Sequence, residues 1–127
     1  MNIERLIDVI KQQAEMFMLE IGAFYPFATA INSNNEIVPI GAYIEDKNDT
    51  PASQDIINLL EKGIFHEINN GYYRIAAIVV DITITKKTVN YDAMQIRFYE
   101  KNNAYKKHFI YVINSNNVMF TEVQESL

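Results

Sequence analysis

The chain has 127 residues, 49% of them hydrophobic and 21% charged, with a formal net charge of -5 and no cysteine. This length and apolar content suit a single domain over residues 1–127, and the missing cysteines exclude disulfides, thiolate nucleophiles and Cys-ligated metal sites. The acidic balance speaks against a nucleic-acid binder, which needs a basic face to displace phosphate counterions.

In chain order, Ile3, Leu6, Ile7, Ile10, Ala14, Phe17, Met18 and Ile21 recur at the three-and-four spacing of an amphipathic helix. Gly22 can take the left-handed conformation that ends it. The N-terminal segment MNIERLIDVIKQQAEMFMLEIG is too acidic and too often polar for a signal peptide or a membrane span, so a cytoplasmic protein is expected. FYPFATAI and EIVPIGAYI then read as two strands flanking INSNN. Pro26 and Pro39 place them at an edge or a bulge, because proline cannot donate to a ladder.

Thr50 can cap a second helix with Pro51 in its first turn. Its apolar stripe is Ile56, Ile57, Leu60, Ile64 and Ile68, and Asn69-Asn70-Gly71 ends it. Asn48-Asp49-Thr50 matches a glycosylation acceptor, which without a secretory signal is read as accidental. YYRIAAIVVDITIT is apolar on both alternating faces in its middle, as in an interior strand. The next strand alternates Met94, Ile96 and Phe98 with Gln95, Arg97 and Tyr99. KKHFIYVI and VMFTEV flank a second INSNN and complete a meander. The order α-β-β-α-β-β-β-β predicts an α+β domain, a mainly antiparallel sheet with two helices packed on one face. Both INSNN segments suit hairpin turns, since asparagine tolerates the left-handed region and bonds nearby backbone. Their flanks share little, so they are two independent turns.

Pairing Asp81 with Gln95 puts Ile78, Val80, Ile82 and Ile84 beside Met94, Ile96 and Phe98 as the core face. The reverse face would then carry Tyr73, Ile75 and Asp81 beside Gln95, Arg97 and Tyr99, a mixed surface suited to a protein partner or a second protomer. Asp81, interrupting an apolar strand, reads either as a desolvated acid or base or, preferably, as a cross-strand ion pair with Arg97. A second candidate is a pocket where Glu20, Phe24, Tyr25 and Phe27 meet the sheet, which would hold a small molecule. Tyr25, Tyr43, Tyr73, Tyr99 and Tyr111 fall on expected strands, where tyrosine serves either an interface or strand propensity. His66 and His108 sit in different elements without a nearby carboxylate cluster. No metal or cofactor is therefore expected, and phosphate-loop, nucleophile-elbow and zinc-helix signatures are missing.

LEIGAFYPFATAI, from Leu19 to Ile31, resembles a Leu-Glu-x-x-Gly-x-Phe-x-Pro-Phe-like motif of a widespread group of small bacterial proteins of unknown activity. In that group the motif joins a first helix to a hairpin. GYYRIAAIVVDITI and YDAMQIRFYE look like the group's long central strands. Gly22 comes earlier than in the pattern, and Ala23 stands where a polar, often acidic, residue is expected. The resemblance implies the fold and carries no catalytic residues.

Residues 1–67 hold eleven acids against four bases, and residues 68–127 five against seven. The acidic N-terminal half serves solubility or a basic partner. The favoured function is a non-catalytic interaction protein, with immunity to a basic bacterial toxin as its concrete form. The alternatives are a small-molecule binder or enzyme at the helix-hairpin junction and a structural homodimer.

Overall fold

The computed structural model describes residues 3–41 and 53–124. The elements are α1 (Ile3–Ile21), β1 (Phe27–Asn32), β2 (Ile37–Ile40), α2 (Ser53–Asn69), β3 (Tyr73–Lys86), β4 (Val89–Glu100), β5 (Asn103–Ile113) and β6 (Val118–Glu122). The α+β class and the order α-β-β-α-β-β-β-β are as expected, with strand order β2-β1-β3-β4-β5-β6, antiparallel throughout. Thr50, Pro51, Tyr43 and Asn48-Asp49-Thr50 lie outside the described residues. Tyr25 precedes β1 rather than lying on a strand.

Both helices end as their glycines dictate. Gly22, at φ 80°, donates its N–H to the Met18 carbonyl. Gly71, also at φ 80°, and Tyr72 donate to Ile68 and Glu67, closing α2 in a Schellman arrangement. The two INSNN segments are both hairpin turns, built differently. In the first, the Asn32 side-chain oxygen accepts the N–H groups of Asn34 and Glu36, and Asn35 sits at φ 63°. In the second, Asn114 donates to Asn117 from its backbone N–H and again from its side-chain amide.

The two helices do not share a face. Leu6, Ile7, Ile10, Ala14 and Met18 of α1 pack with Ile75, Ala77, Val79, Met94, Ile96, Phe98, Phe109 and Tyr111. Ile56, Ile57, Leu60, Ile64 and Ile68 of α2 pack with Ala28, Ala30, Ala76, Ile78, Val80 and Tyr99 on the other side. The cause is the β3–β4 register. Asp81 pairs with Met94, not Gln95, and the whole ladder follows that register from Ile75–Glu100 to Lys86–Val89. A one-residue slip transfers every side chain of a strand to the opposite face. Met94, Ile96 and Phe98 therefore join Ile75, Ala77 and Val79 beneath α1, while Ile78 and Val80 form the floor beneath α2. A strand apolar on both faces needs a cover on both, and each helix supplies one.

The sheet is curled, and α1 touches strands near both of its margins. Within a single turn of that helix, Phe17 meets Phe27 of β1 edge to face at 5.5 Å and Glu15 accepts the Val118 N–H of β6 at 3.0 Å. Three strands separate β1 from β6 in the sheet.

Candidate functional site: the uncovered half of the sheet

The expected partner face is split by the register. Ile75 is fully buried under α1, and Asp81 faces the same side. Gln95, Arg97 and Tyr99 face the α2 side, and Tyr73 packs at the margin of the α2 cluster. Asp81 and Arg97 stand on opposite faces, so the expected ion pair does not exist. Asp81 instead accepts the Tyr111 hydroxyl at 2.8 Å and a backbone hydrogen bond from Phe24. Burial pushes its carboxyl upward, the two hydrogen bonds pull it back, and Asp92 adds a smaller upward push.

Of the helix-hairpin residues, Phe24 is buried in the α1 core and meets the partly buried Phe27 edge to face at 5.6 Å. Glu20 and Tyr25 are exposed. These side chains do not converge on a shared polar centre. Among the described residues no three His, Asp or Glu side chains gather as a metal-holding group.

The structure draws attention to a surface that joins Gln95 and Arg97 of the expected partner face to Ile82 and Ile84 of the expected core face. α2 roofs β1 and β3 and reaches only Tyr99 of β4. Beside it, no described helix packs on the same face of β4, β5 and β6, although Ala93 of β4 and Ile84 of the adjoining β3 are buried there. Cross-strand rows there follow from the ladders: Ile78–Arg97–Lys106, then Val80–Gln95–His108, then Ile82–Ala93–Ile110–Thr121. Beyond them stand the pairs Ile84–Tyr91 and Val112–Met119. Met119 is 61% exposed, Val112 56% and Tyr91 37%, while Ile84 is buried, so the exposed apolar side chains of the far end are Tyr91, Val112 and Met119. A concavity of about 860 Å³ lies at the edge of this face, with Ile82, Gln95, Lys106, His108 and Val123 among its walls together with Lys107 and Glu122 from the opposite parity.

The near end is polar and connected. Gln95 meets His108 Nε2 at 3.1 Å, Arg97 Nε donates to Gln95 Oε1 at 2.7 Å, and Arg97 also hydrogen-bonds Tyr99. The Tyr99 hydroxyl donates to Glu61 of α2 at 2.8 Å. Burial, and then the Lys106 cation, hold His108 below the usual imidazole range, which suits a neutral ring accepting from Gln95. Burial and the Glu61 carboxylate push Tyr99 up to about 12, so the phenol stays a donor.

The strand acids are confined to one face, which they share with Lys107. The acids carried by strands, Asp81, Asp92, Glu100 and Glu122, pair with Met94, Thr83, Ile75 and Phe109 and all stand on the α1 side. Arg97, Lys106 and His108 stand on the α2 side, and no described carboxylate forms an ion pair with Arg97 or Lys106. The open half-sheet is thus basic at one end and apolar at the other. Alternation in β5 and β6 carried this signal, since Lys106, His108, Ile110 and Val112 share a parity, but only the ladder shows that α2 leaves them uncovered.

No protein-family model matches the chain, and neither a curated protein nor a solved structure matches it. No helix among the described residues is long and apolar enough to cross a membrane.

Proposed function

We propose that this protein is a non-catalytic interaction domain that docks a protein partner on the open half of its sheet. The observation that carries the reading is the apolar patch of Tyr91, Ile110, Val112 and Met119 bordered by Arg97, Lys106 and His108. Exposed apolar side chains flanked by polar and cationic ones are the usual composition of a docking surface. Arg97 is also held in place by Gln95 and Tyr99, which lowers the ordering cost of binding. Protection against a toxin is one concrete form of this role. On this face the charge favours an acidic partner surface, opposite to the basic one favoured by the charge of the whole chain.

The test is the double variant Val112→Lys with Met119→Lys, compared with the wild type in capturing a partner and in thermal melting. Both side chains are exposed, so stability should stay within about 0.5 kcal/mol. The complex should be lost. A complex that survives both substitutions intact would sink the reading.

A further inference from the structure

We infer that the open half-sheet receives a single amphipathic helix of a partner protein, with an apolar stripe on Ile110, Val112 and Met119 and carboxylates against Arg97 and Lys106. This rests on the docking reading above and adds the chemistry and shape of the partner.

Three observations set the occupant. The first is width. The strands β4, β5 and β6, which no described helix covers on this face beyond Tyr99, are neighbours in the sheet, and at about 4.8 Å per strand they span about 10 Å between outer axes. An α-helix with side chains is about 10–12 Å across. One helix fills the space beside α2 and completes a second layer like the one α1 forms on the other face.

The second is length. Lys106 and Val112 lie six positions apart on β5, which at about 3.3 Å per residue places the cationic row about 20 Å from the apolar tip. A helix spans that distance in about 13 residues.

The third is charge. Arg97 and Lys106 are directly opposed, share a face without any strand carboxylate, and form no ion pair with a described acid. Like charges held opposite each other cost stability in the free protein, and a partner carboxylate placed between them would relieve that cost on binding. Nucleic acid suits the face less well. Single strands are held by runs of aromatic platforms, and Tyr91 is the only exposed aromatic side chain on this half-sheet among the described residues. The net charge of -5 opposes it further.

The experiment uses the full chain and four labelled probes: a designed amphipathic helix of about 14 residues bearing Glu and Asp, the same helix with Lys in their place, a scrambled acidic peptide, and a single-stranded oligonucleotide. Binding is read by fluorescence anisotropy at two salt concentrations, with backbone amide shifts locating the site. The acidic amphipathic helix should bind at least tenfold tighter than the basic one, weaken with salt, and shift Ile110, Val112 and Met119. Lys106→Glu alone should reduce that preference, and Arg97→Glu with Lys106→Glu should reverse it. Equal binding of the scrambled peptide, or tighter binding of the oligonucleotide, would overturn the inference. So would self-association that shifts the same amides without a probe. Preference for the basic helix at those residues would overturn the acidic partner and leave the docking surface standing. If no probe shifts the face and the Val112→Lys, Met119→Lys variant still holds its partner, the docking reading falls too.

Discussion

Arg97 of β4 and Lys106 of β5 face each other directly across the ladder, two cations on one side of the sheet with no described carboxylate paired to either. Such a pair works against folding. Lys106→Glu should therefore stabilise the free protein by about 0.2–1 kcal/mol, seen as a raised melting temperature at low salt that shrinks as salt is added. The same substitution should weaken the acidic helix probe. A variant that melts lower than the wild type at low salt would contradict this.

Asp81 holds the segment between α1 and β1 to the sheet through Phe24 while Tyr111 caps it from β5. Tyr111→Phe removes one of those two donors and should cost about 1–3 kcal/mol by urea denaturation at pH 7. Because burial raises the Asp81 carboxyl above its ordinary 3.8, the folded state holds its proton to higher pH than the unfolded chain does. The stability due to this group is fully present below that ordinary value and is lost as pH rises through the folded one. Asp81→Asn keeps the Oδ1 acceptor for the Tyr111 hydroxyl and removes the titrating group, so it should flatten that part of the profile. An unchanged pH profile in the variant would show that Asp81 is not the group responsible.

Tyr99 gives a counterpart at alkaline pH. Its phenol is pushed up from 10.0 to about 12, first by burial and then by Glu61. Stability from the neutral phenol is present below pH 10 and is lost as the pH climbs toward 12. In a spectrophotometric titration at 295 nm, the step missing from Tyr99→Phe should be a late one. Glu61→Gln should move that step to lower pH, and a step that stays in place would assign the shift to burial alone.

The succession of elements was legible because each carries its own period or punctuation: three-and-four spacing in α1 and α2, Gly22 and Gly71 at their ends, asparagine turns in two hairpins. The register between β3 and β4 was not. A strand reading Ile75-Ala-Ala-Ile-Val-Val80 is apolar at every position, so it lacks the alternation that fixes which face is which. The turn that does fix it, Lys87-Thr88 with φ 48° and 69°, uses residues that do not advertise two left-handed positions as Asn-Gly would. From that single step followed the misplacing of both helices on one face, the supposed Asp81–Arg97 pair and the mixed partner face. Gln95, Arg97 and Tyr99 were rightly grouped because they lie on one strand at spacing two, which no register error can separate.

Glu15 reaches from α1 to the backbone of the last strand, taking the Val118 N–H at 3.0 Å. Glu15→Ala should expose that amide, seen as faster hydrogen exchange at Val118 than at Met119, whose N–H points toward β5, at a cost of about 1 kcal/mol. Equal exchange in variant and wild type would mean that the carboxylate contributes nothing there.

The two borders of the sheet share a further property. The Asn32–Glu36 hydrogen bond sets the alternation in β2 so that Pro39 turns its nitrogen outward, where it has no hydrogen to offer an incoming strand. At the other border Glu15 occupies an outward amide of β6. Neither margin is left as a bare template, so strand-by-strand growth into fibrils is disfavoured from both ends. The faces of the sheet, rather than its margins, are then the surfaces left for association.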